Sequence, residues 1–448
     1  MILLRNCLAI QGLDAGFDIL IEGNRISRIG RGLKVPVSAS GEVEIIDCSN
    51  SVVVPGFVNT HHHFYQTLTR NLPAVQNAKL FTWLRHLYEI WKNIDPDAIY
   101  WSTVLATAEL LKTGCTCTTD HHYLYPNGFS DDIMGLQFAG AGKTGIRFAP
   151  TRGSMSLSKK DGGLPPDSVV QDEETILADS ERVISRYHDP APLSMRRVSL
   201  APCSPFSVTP DLMKRTAELA RKHGVRLHTH LAETADEDSF CMKKFGKRPL
   251  ALMEECGFIG PDVSYAHGIF FTDDELKLLA ETRTGICHCP SSNMRLGSGI
   301  ARIREMVALN IPVSIAVDGS ASNDSSDYLG EMRQALLLQR VRYGSDALTA
   351  SDVYHIASEG GASILGFEKI GKIAEGWGAD IAVFDTRRIE YVGSGTDPVA
   401  SLLFCGTGHQ TAYTIVNGKI VVREGRLTGI DEDEIIKKGS ACARRLTG

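Results

Sequence analysis

An α/β fold is predicted: a (β/α)8 TIM barrel with a small β-sandwich domain built from both chain ends. Three observations predict it. Eight short β-branched runs recur along the chain, each ending in polar or titratable residues. Each run is followed by a stretch of helical periodicity. The two flanks instead alternate apolar and polar residues, with turn signals at Glu22, Gly23, Asn24 and at Ser49, Asn50. At 448 residues the chain exceeds the size at which one core keeps growing, so one large unit plus a smaller one is the natural division.

Strands are expected at Val53 to Thr60, Thr116 to His121, Ile146 to Arg152, Val198 to Ser204, Val225 to Leu231, Val263 to His267, Gly285 to Cys289 and Val313 to Asp318. Helices are expected between them at Asp211 to His223, Asp273 to Thr282, Ala301 to Leu309 and Tyr328 to Arg342, with starts marked by Pro210 and Asp211 or by Thr272. Such alternation implies a barrel of parallel strands, whose active site lies at their C-terminal ends. The barrel is assigned residues 55–370. Residues 1–54 and 371–448 are assigned to the composite β domain, with Asn417 and Gly418 as a hairpin signal and a charged helix from Asp431 to Leu446 on its outside. The breaker-rich loop Asp161 to Asp167, after the third strand, is a candidate lid.

Hydrophobic residues at 43% and charged residues at 22% are ordinary for a globular protein, and a net charge of −6 without a basic cluster excludes nucleic-acid partners. Apolar stretches are broken before the length that a membrane helix needs, so no membrane partner is expected. Arg5 and Asn6 interrupt the first apolar patch; no secretory signal is read there, and a cytoplasmic location is expected. The cysteines number eleven, an odd count, and most sit among small or β-branched residues as reduced thiols would. Pro202 and Cys203 begin the zinc signature of cytidine deaminases, but Phe206 stands where its second thiolate belongs. That fold is excluded. A homo-oligomer, by default a dimer, is the expectation for a soluble enzyme.

The chemistry starts at His61, His62 and His63, which follow the apolar run from Val52. Side chains alternate along a strand, so His61 and His63 share a face while His62 points away. One His-x-His pair is weak evidence. His230, His267 and Asp318 end three other strands, and five candidate groups converging at one barrel mouth make a metal site. Imidazoles with one carboxylate suit Zn²⁺, with Fe²⁺ or Mn²⁺ as alternatives. The fourth strand, ending Ala201, Pro202, Cys203, Ser204, offers no lysine to bridge two ions, which favours one divalent metal per chain. Such an ion lowers the pKa of its water to about 7. Glu233, three residues after His230, would move a proton to a ring nitrogen of the substrate. Asp318 would ligate the ion and carry the water proton to the leaving group. His267 would hydrogen-bond the attacking water or the developing oxyanion. His62, His121, His122, His228 and His288 are left with structural roles or with orienting the ligands.

The segments Pro55 to His63, His228 to Thr234, Ala266 to Gly268 and Val317 to Asp324 resemble successive signatures of the amidohydrolase superfamily, in its mononuclear-zinc group of nucleobase and s-triazine aminohydrolases. The resemblance covers essentially the whole chain. It implies His61, His63, His230 and Asp318 as metal ligands and Glu233 and His267 as catalytic residues. Within that group the loops His63 to Arg70, Arg152 to Leu157, Asp161 to Pro166, Ala201 to Val208 and His288 to Leu296 are most similar to those of deaminases acting on 8-oxoguanine. The substrate implied is therefore a small aminopurine. Its exocyclic 2-amino group would be removed hydrolytically, giving urate and ammonia. Adenosine-type members carry histidine where Cys203 stands, so the thiol implies a bare base without ribose. Gln66, Trp83, Arg152 and Ser204 are further candidates for reading ring edges. The rival is a hydroxyatrazine-type s-triazine aminohydrolase, which shares the His-His-His-Phe signature and the pattern at Arg388 to Tyr391. Guanine and pterin deaminases are more distant. A non-catalytic scaffold would have lost ligand positions, and all are filled here.

Overall fold

The computed structural model describes residues 1–448 except 14, 35–42, 130–131 and 407. Eight parallel strands position the site: Phe57–Asn59, Cys115–Thr118 continued by His121–His122, Arg147–Phe148 continued by Thr151–Ser154, Ser199–Pro202, Leu227–Leu231, Val263–His267, Gly285–His288 and Val313–Ile315. They are called strands one to eight below. Strand three breaks at Pro150, which has no N–H for a ladder. The backbone pairing therefore forms two parallel ladders, one joining the first halves of strands one to three and one running from strand eight through strand four to the second halves of three and two.

Among the described residues the ladders do not close into one ring. Strand eight instead meets strand one through side chains and loop backbone. The Val317 N–H donates to Asn59 Oδ1 at 2.9 Å, Thr60 and Ser314 hydroxyls lie 2.6 Å apart, and the Asp318 N–H donates to the His61 carbonyl at 3.2 Å. The result is an α/β fold of the TIM-barrel type with its polar strand ends gathered on one side.

The helices start where their caps dictate. Thr209 accepts from the Leu212 N–H and precedes Pro210–His223, which ends at Gly224 in the left-handed region (φ 67). Thr272 and Glu275 form a reciprocal capping box on Asp273–Thr282. The helix expected from Ala301 shortens to Ile303–Ala308. Pro210–His223 lays an apolar face on the strands: Leu212, Met213, Ala217 and Ala220 are buried in this way, and Leu212 alone contributes about 1.5–3 kcal/mol of burial.

The flanks form two sheets. One orders Arg25–Gly30, Asp18–Glu22, Ile2–Arg5 and Glu44–Asp47; the other orders Ala9–Ile10, Ser51–Pro55, Ile381–Asp385, Tyr413–Val416, Lys419–Arg423 and Arg426–Leu427. Ser51–Pro55 pairs antiparallel with Ile381–Asp385, so segments from opposite ends of the chain share one sheet. Apolar packing between the sheets is supplied by Ile19, Ile21, Ile26, Val53, Ile381 and Ile415, which belong to one buried cluster. Asn417 (φ 50) and Gly418 (φ 78) both take the left-handed conformation that a tight two-residue hairpin needs. The single strand expected from Val53 to Thr60 is in fact two. Gly56 divides it, the first half pairing in the flanking sheet and the second in the barrel-type ladder. A Cβ on Gly56 would collide with the Thr116 side chain, so only glycine allows this crossing. The C-terminal helix Glu432–Thr447 packs on Pro96–Lys112, with Lys112 Nζ 2.8 Å from Glu432.

Candidate active site

His61 and His63 leave strand one in an extended segment, and their rings enter the same space, while His62 turns the other way to Ser326 Oγ at 2.9 Å. The Nδ1–H of His63 donates to the His121 carbonyl at 2.8 Å, and that of His230, at the end of strand five, to the Cys203 carbonyl at 2.6 Å. These bonds fix the tautomers. Each ring then presents a bare Nε2 lone pair, and the two Nε2 atoms face each other at 3.1 Å. Two lone pairs at that distance repel unless a cation lies between them. His61 Nδ1 is 2.8 Å from His228 Nε2, which is itself anchored by Ser264, and His61 Nε2 is buried without an aligned hydrogen-bond partner.

Asp318 lies beside these rings and forms a second close group with His61 and His267. Its Oδ1 lies 3.4 Å from His61 Nε2 and 3.3 Å from His63 Nε2. Burial alone would favour a protonated acid, but His61, His267 and His63 hold the carboxyl well below its ordinary range. Burial pulls the His61 and His230 rings well below their usual value and lowers His63 as well, so these imidazoles are neutral donors. Asp318 and His267 both have positive φ, 63° and 73°, and so leave their strands by a sharp left-handed turn that few residues adopt.

His267 Nδ1–H donates to Asn293 Oδ1 at 2.9 Å, which turns Nε2 toward Glu233 Oε2, 3.6 Å away. Burial pushes Glu233 up from the usual carboxylate value; burial opposes charge on His267 too, but the Glu233 and Asp318 carboxylates raise it. Both groups of the pair thus hold a proton more tightly than they would in water. Above the pair lies a cavity. Its floor is His63, His230, Glu233, His267 and Asp318, and its walls include the flat or apolar side chains of Trp83, Tyr123, Phe206 and Leu296.

Of the candidates for reading ring edges, Gln66, Trp83 and Cys203 line this cavity. Gln66 Oε1 and Trp83 Nε1 are buried without partners. Arg152 and Ser204 stand apart from it. The Arg152 guanidinium points away and is consumed by Asp179 at 2.8 Å, Gln171 at 2.7 Å, the Gly153 carbonyl at 2.6 Å and the face of Tyr125. Ser204 is buried against Ser207 at 2.8 Å. Sequence gives the residue type at Arg152 but not its direction.

The sequence gives no role to Asn293 and leaves His121 a structural or ligand-orienting one. Asn293 fixes the His267 ring, and its signal was present in the Pro-Ser-Ser-Asn segment. His121 brings a ring nitrogen into the cluster with His61, His63 and His230, all within 4.8 Å of one another. Its Nδ1 is unpartnered. Nothing in the sequence separates it from His122, whose Nε2 donates to the Leu124 carbonyl at 2.7 Å.

Residues 52–421 match the sequence profile of the amidohydrolase family. The chain belongs to that family. This amidohydrolase is 46% identical over 447 residues to an 8-oxoguanine deaminase of Pseudomonas aeruginosa, covering 99% of this chain and 98% of that protein. It is 38% identical to a hydroxydechloroatrazine ethylaminohydrolase of Pseudomonas sp. strain ADP, covering 96% of this chain and 91% of that protein. The crystal structure of the atrazine chlorohydrolase TrzN from Arthrobacter aurescens TC1, complexed with zinc, superposes with a TM-score of 0.93 at 29% identity, covering 99% of this chain and 100% of that one.

Proposed function

We propose that this amidohydrolase is a hydrolytic deaminase of aminopurine bases and that its substrate is 8-oxoguanine, converted with water to urate and ammonia. One observation carries the reading. His61, His63 and His230 bring ring nitrogens within 4.8 Å of one another, and the Asp318 carboxylate lies 3.4 Å from His61 Nε2 and 3.3 Å from His63 Nε2, beside the Glu233–His267 pair and a cavity walled by flat and apolar groups. The similarity to the Pseudomonas aeruginosa enzyme supports the choice of substrate.

The donor set fits one divalent metal, because the facing Nε2 atoms of His63 and His230 and the unpartnered Nε2 of His61 need a cation. His61, His63, His230 and Asp318 would hold it. Zn²⁺ bound there would bring the pKa of a water to about 7. The protein's own groups then do the proton work. Glu233, raised by burial, delivers a proton to the ring nitrogen next to C2 as the water oxygen adds to that carbon. His267, held by Asn293, hydrogen-bonds the oxygen on which charge develops. Asp318 takes the remaining water proton and returns it to the departing amine. Gln66 Oε1 and Trp83 Nε1, an acceptor and a donor without protein partners, suit the edges of a purine. Cys203 and Phe206 leave an apolar wall where a ribose would need polar partners.

We further infer that residues 55–370 make the catalytic unit, closed as a (β/α)8 barrel, and that residues 1–54 with 371–448 make a β-sandwich. The contacts between strands eight and one and the cluster shared by the two flanking sheets support this.

The test is ammonia release from 8-oxoguanine, guanine, isoxanthopterin and hydroxyatrazine measured side by side on protein whose metal content is known. Highest kcat/KM on 8-oxoguanine is expected, with about one equivalent of divalent metal per chain. Chelation should abolish turnover, and added Zn²⁺ should restore it. The s-triazine relative favours a second reading, and preference for hydroxyatrazine would establish that one instead.

A further inference from the structure

Glu237 is 1% exposed, lies outside the cavity lining and has no part in the reaction described above. It occupies the third position of the helix Ala235–Phe245, whose N-cap is Thr234. Thr234-Ala235-Asp236-Glu237 therefore has the spacing of a capping box, in which the threonine hydroxyl takes the N–H of the third residue and the glutamate reaches back to the threonine N–H. That box does not form. Thr234 makes no side-chain cap, and its hydroxyl is buried without a partner.

The carboxylate reaches further instead. Glu237 Oε1 accepts from the Ala232 N–H at 3.0 Å and Oε2 from the Glu233 N–H at 3.1 Å. Ala232 has φ 54, a left-handed conformation unusual for a residue with a Cβ. Two successive N–H groups around such a turn point to the same side and make a small anion-binding concavity. Here the two acceptors are the carboxyl oxygens of the protein's own Glu237. The opposite side of the turn is also held: the Ala232 carbonyl accepts from the Ile269 N–H at 2.8 Å and the Phe270 N–H at 3.0 Å, just past His267. The strained turn is thus gripped from both sides, and it carries Glu233 to within 3.6 Å of His267.

We propose that Glu237 is a positioning residue, its carboxylate clamping the Ala232–Glu233 turn so that Glu233 is aimed into the cavity. The inference rests on the reading of Glu233 as the proton-transfer group. Exchange of the usual cap for this clamp is the kind of local rule that a fold breaks for a site. A neutral glutamine cannot replace it fully, because its amide nitrogen would face one of the two N–H donors.

The experiment is a double-mutant cycle with Glu237→Gln and Glu233→Gln, read as kcat and KM for 8-oxoguanine on protein of measured metal content and melting temperature. Glu237→Gln alone should lower kcat by about 30-fold, within the range that slight misplacement of a reacting group produces, with KM and metal content little changed. In the Glu233→Gln background the same substitution should cost less than about threefold, since the residue it positions is already disabled. Losses that multiply, or a Glu237→Gln enzyme at full rate, would overturn the proposal while leaving Glu233 in its role. A Glu233→Gln enzyme at full rate would remove the proton-transfer reading and this inference with it. Should Glu237→Gln not fold, Glu237→Asp, one methylene short of the turn, makes the same comparison in both backgrounds.

Discussion

At the scale of single residues, Gln66 is where the proposed recognition of substrate is most directly tested. Its amide oxygen is buried and unpaired, a condition that costs about 1–3 kcal/mol. Gly319 packs against it, and a Cβ there would overlap the amide, so the two positions specify each other. Gln66→Met keeps the length and removes the unpaired group. The protein should then be as stable as before or up to about 1 kcal/mol more so, while kcat/KM falls about tenfold or more, because a substrate group loses its partner. Denaturant midpoints and steady-state rates on one preparation decide it, and a variant with unchanged kcat/KM would place the substrate elsewhere. His61 and His63 were legible in the sequence because the two-residue alternation of an extended segment dictates which rings share a face. Arg152 was not. Its outward direction is set by Asp179, Gln171 and Tyr125, which reach it from other segments that no local pattern connects to it.

At the scale of elements, three loops of the site are each tied to a buried carboxylate behind them. Asp120 accepts from the Phe64 N–H at 2.8 Å just after His63, Glu237 grips the turn before Glu233, and Glu331 accepts from the Ser291 N–H at 2.9 Å in the segment that carries Asn293. Burial pushes all three up to about 8. None was legible, since a buried acid and a surface acid look alike in sequence, and Glu237 in particular reads as an ordinary cap. The helix starts marked by Pro210 and by Thr272 were legible, because start signals of this kind are local. Asp327 combines both kinds. It caps Tyr328–Tyr343 through the Gly330 N–H and also meets His409 from the C-terminal segment. The hydrogen bond to Asp327 raises His409 above its usual value despite burial. A raised folded value means that protonated His409 stabilises the fold fully below about 6.5, and that this contribution is lost as pH rises through the folded value. The melting-temperature gap between wild type and His409→Gln should therefore be wide near pH 6 and narrow by about pH 9. An equal gap at both would exclude a charged pair.

At the scale of the molecule, the question is what makes the barrel-type strands and the flanking sheets one structure. The β-rich character of both ends could be read from alternation and turn residues, but not that Ser51–Pro55 would pair with a strand more than 300 positions later, since pairing partners are a long-range property. Nor could the lock between the two parts be foreseen. Arg147 of strand three is fully buried, and its guanidinium meets Asp380 at 2.9 Å, immediately before the flanking strand Ile381–Asp385. It also donates to the Leu193 carbonyl at 2.6 Å, while Asp380 accepts from the Asn417 N–H at 2.6 Å in the hairpin turn. Replacing Arg147 by methionine leaves a carboxylate in a dry interior with a single N–H partner, and breaking a buried pair in this way costs about 3–5 kcal/mol. Adding Asp380→Asn removes the stranded charge but keeps an acceptor for Asn417, so the double variant should recover much of that loss. Neither residue lines the cavity, and folded protein of either variant should keep its kcat. Urea unfolding followed in parallel with activity tests this. If Arg147→Met lies within about 1 kcal/mol of wild type, the two parts are held by apolar contact alone; if the double variant is no better than the single one, the penalty comes from lost packing around the guanidinium and not from an unpaired charge.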